Sequence, residues 1–178
     1  KFLVIPPALD PAFLAQRDKV LAAAQKRDKK VLLTVCRLDA AEQYKGMDTV
    51  IRGLPKIREA VPGTTYVIVG DGSDRARLEK LAVDTGMADY VTFEGDQPTE
   101  NLPGYYANCD VFLMPSEAEG WASVYMEAMA YEKPAIGCNL VTWDPLFGCY
   151  LGREPYCHHR SCFCAPLSFV FPLPLPLP

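Results

Sequence analysis

The chain alternates short, continuous apolar runs with stretches in which apolar residues recur every three or four positions. Val31-Leu-Leu-Thr-Val35, Tyr66-Val-Ile-Val69, Tyr90-Val-Thr-Phe93, Val111-Phe-Leu-Met114 and Pro134-Ala-Ile136 are runs of the first kind, as expected of strands covered on both faces. Between them, Met47, Val50, Ile51, Leu54 and Ile57 repeat at helical spacing until Val61-Pro-Gly63 stops them. Leu78, Leu81 and Ala82 mark a helix that Gly86 ends, and Leu102 to Asn108 and Ala122 to Tyr131 predict two more. Strands alternating with helices at this spacing predict an α/β fold, a Rossmann-like parallel sheet with helices on both faces and right-handed crossovers. Ligands of such sheets bind beyond the carboxyl ends of the strands. Function is therefore expected in the loops after residues 35, 69, 94, 114 and 137.

The two ends read differently. Phe2-Leu-Val-Ile5 is a short strand signal, Pro6 and Pro7 look like a linker, and Asp10-Pro11 sets an N-cap and first-turn proline for a helical run to about Lys26. Beyond Asn139 neither period survives, cysteines and aromatics accumulate, and the chain finishes Phe171-Pro-Leu-Pro-Leu-Pro-Leu-Pro178, a composition suited to extended or disordered chain. The expected organisation is a linker and leading helix over residues 1–29, one domain over 30–139, and an irregular cysteine- and proline-rich tail over 140–178. With 178 residues, 49% of them hydrophobic, there is material for one substantial core.

A formal net charge of -4 gives no general attraction to nucleic acid or an anionic membrane surface. No run of eighteen apolar residues lacks charges or breakers, and the amino-terminal residues do not read as a secretory leader. The expectation is a cytoplasmic protein. Cys36, Cys109 and Cys138 are scattered like small buried hydrophobes, whereas Cys149, Cys157, Cys162 and Cys164 crowd the tail.

The segment richest in chemistry is Pro115-Ser-Glu-Ala-Glu119-Gly-Trp-Ala-Ser-Val-Tyr-Met-Glu127. Glu119 falls in the loop after a buried strand and Glu127 about a turn into the next helix, so both can line one cleft. The helix start between them offers free N–H groups and a positive dipole end to a phosphate. Alternatively, Glu127 is an exposed helix residue and Glu119 a first-turn charge favoured by the dipole. Arg37 directly follows the first central strand, and Lys45 precedes Gly46 at the next helix. Two cations there suit a diphosphate that leaves with its charge; otherwise they are a solvated surface pair.

Leu33-Thr-Val-Cys-Arg37-Leu, Tyr44-Lys-Gly46, Val67-Ile-Val-Gly-Asp-Gly72, Val111-Phe-Leu-Met-Pro-Ser116, and Glu119-Gly through Glu127-Ala-Met-Ala130 with Lys133-Pro134 together resemble glycosyltransferase family 4, of the GT-B fold. The resemblance covers residues 30 to 139, and Pro6 to Asp10 is similar to the linker by which such enzymes enter their second domain. It implies the carboxyl-terminal, donor-binding half of that fold, and metal-independent transfer of a sugar from a UDP- or GDP-sugar with retention of configuration. No cofactor beyond that donor substrate is implied. By resemblance, Arg37 and Lys45 hold the diphosphate, Glu119 lies near the donor sugar, and Glu127 binds ribose hydroxyls. Backbone amides at Gly120, Trp121 and Ala122 meet phosphate, and the loop at Asp96 and Gln97 borders the base. The catalytic set is thus Glu119, Arg37 and Lys45.

The family usually carries glycine where this chain has Cys36, Ala122 and Glu132. A side chain at 36 or 122 is expected to hinder close approach of phosphate, and Glu132 to reshape a turn. The resemblance also implies an amino-terminal domain, absent from these residues, that supplies most of the acceptor site and in relatives acting on lipids carries a membrane-facing surface. The fragment alone is expected to be inactive, its acceptor unread. Two other readings compete. Gly70-Asp-Gly72 opening a helix, with Glu94 at the end of the next strand, fits an NAD-binding oxidoreductase but leaves Arg37, Lys45 and both glutamates without a role. A non-catalytic nucleotide-binding module is the other. Cys157-His-His-Arg-Ser-Cys162-Phe-Cys164 has zinc-type ligands without two well-separated pairs and reads as unstructured thiols.

Overall fold

A computed structural model describes residues 9–24, 29–117 and 123–137 of the chain. The amino-terminal strand signal and the tail beyond residue 137 lie outside the described residues. Five strands, β1 (Val31–Val35), β2 (Thr65–Val69), β3 (Val91–Gly95), β4 (Val111–Met114) and β5 (Ala135–Gly137), form one sheet in the order β3-β2-β1-β4-β5. Every pairing in it is parallel. The order reverses beside β1, so the loops after β1 and β4 diverge there and open a crevice.

Helices cover both faces. Alternation along β1 sends Val31, Leu33 and Val35 into one core and Leu32 into the other. Beneath the second face, α3 (Met47–Ala60) and α4 (Arg75–Asp84) bury Met47, Val50, Ile51, Leu54, Leu78 and Leu81. These are the positions whose spacing predicts the helices, and each large side chain contributes about 1.5–3 kcal/mol by leaving water. The opposite face is covered by α5 (Leu102–Asn108) and α6 (Ser123–Ala130), with α1 (Pro11–Ala15) and α2 (Arg17–Ala23) against them. Asp10 caps α1 through its carboxylate, which accepts from the N–H of Ala12 at 2.8 Å. The single helix expected to Lys26 is instead two, meeting at Gln16. Phe13 then sits edge-on to Tyr131 at 5.2 Å and to Tyr106 at 5.9 Å, and the Tyr131 hydroxyl donates to the Phe13 carbonyl at 2.9 Å.

The sheet's centre carries one polar device. Thr34 is fully buried in β1; its hydroxyl donates to the Leu113 carbonyl of β4 and accepts from the Tyr66 hydroxyl of β2 at 2.7 Å. Three adjacent strands are thereby tied through side chains as well as through the ladder. Burial pushes the Tyr66 phenol far above its ordinary range, so it remains a donor.

Glu132 does more than reshape its turn. It lies at φ 59, with its N–H donating to Met129 and that of Lys133 donating to Ala128. This is a Schellman end to α6 with glutamate at the left-handed position that glycine normally holds. Its carboxylate pairs with Arg17. The left-handed backbone costs about 1–2 kcal/mol in a residue with a Cβ, more than the fraction of a kcal/mol expected of an exposed ion pair. Glu132→Gly is therefore expected to stabilise the fold by about 1 kcal/mol in denaturant unfolding; a loss of stability would show that the pair with Arg17 outweighs the strain.

Candidate functional site

The loops after β1 and β2 are welded at the backbone. The N–H of Cys36 donates to Val69 at 3.0 Å, that of Leu38 to Asp71 at 2.9 Å, and that of Asp74 to Leu38 at 2.8 Å. The approach leaves no room for side chains: a Cβ on Gly70 would stand 1.9 Å from the Cys36 carbonyl oxygen, and one on Gly72 2.2 Å from that of Leu38. Gly70 and Gly72 are thus glycines because a neighbouring strand end fills their place. No phosphate cradle is left there. The Asp71 carboxylate instead accepts from the Gly72 N–H at 2.7 Å and from Arg75 at 2.8 Å. Those two donors, the amide foremost, hold its carboxyl below the usual range. At the start of α4 the buried Asp74 is taken up by Arg77, through two bonds of 2.6 Å. At both points the carboxylate is already paired with an arginine of α4.

Arg37 emerges from this weld at the carboxyl end of β1. The segment after it, expected as a loop, is a 3-10 helix over Ala40–Lys45 with a bend at Glu42. Its frame comes from other elements: Asp39 caps it, the Ala40 N–H donates to the Ser73 hydroxyl at 3.0 Å, and Gln43 donates to Asp74 at 3.2 Å. Gly46 ends it at φ 79, where a Cβ would lie 2.5 Å from the Pro115 carbonyl oxygen. The Glu117 N–H donates to Tyr44 at 2.7 Å. Lys45 is thereby set beside the loop after β4 that leads into α6.

Arg37 and Lys45 share a partner that motif reading missed. One oxygen of Glu42 accepts from the Arg37 guanidinium and the other from the Lys45 ammonium at 2.5 Å. Lys45 and Glu42 are only 12% and 17% exposed, whereas Arg37 is 75% exposed. The two cations thus differ: the Lys45 ammonium is held largely out of water, whereas the Arg37 guanidinium stands mostly in solvent. The signal was in the sequence, an acid five residues after the arginine and three before the lysine.

Glu127 is the fifth residue of α6, so it lies one turn in, as its spacing predicts. Its carboxylate accepts from the Tyr106 hydroxyl of α5 at 2.8 Å. Tyr106 is fully buried; burial, then the charge of Glu127, push its phenol far above the ordinary range. It stays protonated and donates to the carboxylate, which fixes one Glu127 oxygen and leaves the other unbonded among the described residues. Tyr125, in the first turn of α6, donates to the Met114 carbonyl at 2.5 Å and anchors the helix to the end of β4.

Asp96 and Gln97 follow β3, two strands from β1 and so about 10 Å along the sheet edge. The Gln97 amide donates to the Glu94 carbonyl at 3.0 Å and its oxygen accepts from Asn101 at 3.3 Å. Glu119, Gly120, Trp121 and Ala122 lie outside the described residues, as does the cysteine-histidine cluster of residues 157–164. Cys36 places its sulfur 3.5 Å from that of Met47, against α3. Burial raises the Cys109 thiol to about 12, in keeping with a small core residue. A cavity of about 360 Å³ lies along the sheet face, lined by Val31, Leu33, Val67, Glu94 and Tyr105 among others, and includes neither cation nor Glu127.

The chain is 42% identical over 143 residues to the GDP-mannose-dependent alpha-(1-6)-phosphatidylinositol monomannoside mannosyltransferase of Mycobacterium tuberculosis, covering 76% of this chain and 37% of that enzyme. It is 31% identical over 141 residues to the D-inositol 3-phosphate glycosyltransferase of Mycobacteroides abscessus, covering 75% of this chain and 30% of that one. The chain thus spans roughly a third of the length of these relatives. Among solved structures, the sucrose-phosphate synthase of Thermosynechococcus elongatus superposes with a TM-score of 0.58 at 29% identity, over 71% of this chain and 31% of that one. Residues 16–142 match the family described as glycosyl transferases group 1, and the chain belongs to that family.

Proposed function

We propose that this chain is the donor-binding half of a retaining glycosyltransferase whose donor is a nucleoside diphosphate sugar, GDP-mannose before others. The observation that carries the reading is the Arg37–Glu42–Lys45 cluster at the carboxyl edge of β1, beside the loop that leads to Glu127. Arg37 and Lys45 neutralise the diphosphate, most strongly as it leaves. The free oxygen of Glu127, steadied by Tyr106, takes ribose hydroxyls, and Asp96 with Gln97 borders the base. Glu119 stands near the donor sugar, with the amides of Gly120, Trp121 and Ala122 on the phosphates. The departing phosphate oxygen takes the proton of the acceptor hydroxyl as that hydroxyl attacks on the same face, so the chemistry needs no metal. GDP-mannose is favoured because the relative sharing 42% identity is named for dependence on it. The acceptor belongs to the other domain of the fold, and these residues alone bind donor without transferring it.

Calorimetry on the chain tests this reading. GDP and GDP-mannose are expected to bind more tightly than UDP, with NAD not binding. Arg37→Ala, Lys45→Ala and Glu127→Ala are each expected to weaken GDP by ten- to a hundredfold, the equivalent of about 1.5–3 kcal/mol for a bond to a charged group. A folded chain that binds no nucleoside diphosphate, or that prefers NAD, contradicts it.

The role given to Tyr106 has its own test. Tyr106→Phe removes only the hydroxyl, so the core should hold while Glu127 loses its fixed orientation. The preference for GDP over 2′,3′-dideoxy-GDP is expected to shrink about three- to tenfold, from the loss of one hydrogen bond of about 1 kcal/mol. An undiminished preference would mean that Glu127 does not meet the ribose through this contact.

A further inference from the structure

A site for a dianion should not need a carboxylate at its centre, yet Glu42 bonds both cations of the phosphate site. We propose that Glu42 is the resident counter-ion of that site, a charge that the incoming diphosphate displaces from Arg37 and Lys45. This rests on the reading of the two cations as diphosphate ligands.

Three observations carry it. Glu42 divides its oxygens, one to each cation, so it occupies the same bridging position that two linked phosphates would take. The Lys45 ammonium is 12% exposed, and a charge held that far out of water needs a counter-charge when no ligand is present. The backbone that carries Glu42 is held by Ser73, Asp74, Pro115 and Glu117 rather than by the ion pairs. The carboxylate can therefore give up its partners without the segment losing its frame.

The consequence is selection by charge. The two cations and one carboxylate sum to a single positive charge, a weak trap for small monoanions. A diphosphate carries enough charge to replace the carboxylate on both cations, and once it has done so the displaced Glu42 repels it. Glu42 keeps the empty site ordered and lowers its affinity for any anion. A residue that only supported the cations would do the opposite, since its loss would weaken binding.

The sign of the affinity change in Glu42→Gln, which keeps the shape and removes the charge, decides between the two. With GDP and inorganic pyrophosphate as probes in calorimetry on the full chain, Glu42→Gln is expected to bind both about tenfold more tightly and to lose that gain at high ionic strength. Glu42→Ala is expected to change in the same direction. Unchanged or weaker binding in Glu42→Gln, while Lys45→Ala still loses GDP, overturns the counter-ion role and leaves the donor site standing. Arg37→Ala and Lys45→Ala that bind as well as the parent overturn both. Failure of both Glu42 variants to fold would make the residue structural and overturn the proposal as well.

Discussion

The contact between the carboxyl ends of β1 and β2 governs the rest of this molecule. Three backbone hydrogen bonds, donated by the N–H groups of Cys36, Leu38 and Asp74, join the two strand ends. Two glycines stand where any Cβ would collide with a carbonyl oxygen. Interiors this close cannot adjust by side-chain motion, because the atoms that would have to move are backbone. Arg37 therefore leaves the sheet at a fixed point, and the 3-10 segment that brings Lys45 back to it is fastened to Ser73 and Asp74, which the same weld positions. The placement of Arg37 and Lys45 is thus set by backbone contacts at the sheet edge.

Much of this was legible in the sequence. Five apolar runs and their intervening helices stand within a residue or two of where hydrophobic periodicity puts them, because each buries a face that the period encodes. Strand order was not legible: the runs are alike in composition, and only packing distinguishes a neighbour of β1 from an edge strand. The Ala40–Lys45 helix was missed because its residues have no apolar period; caps and contacts from distant elements hold it. The bond from Tyr106 to Glu127 spans 21 residues and joins two helices, so no local pattern announces it. Glu132 reads as an ordinary charge until its backbone angle is known.

The contacts of Glu42 and Tyr106 were missed for one reason. Motif reading names residues that touch a ligand, and says little of the groups that hold them. Glu42 and Tyr106 are such groups, one set against two cations and the other against a carboxylate. Each is at least half-buried in a place where an unmatched charge is expensive. On the proposed reading Arg37, Lys45 and Glu127 meet the donor, and Glu42 and Tyr106 are the partners that hold them beforehand.

Hydrogen-deuterium exchange of the chain with and without saturating GDP tests most directly whether these groups form one site. The account predicts slowed exchange in residues 36–46 and in the first turns of α6, with the amino ends of the strands unchanged. Saturation by GDP that protects the α5 face around Asn101 to Asn108 instead, leaving 36–46 untouched, would contradict it.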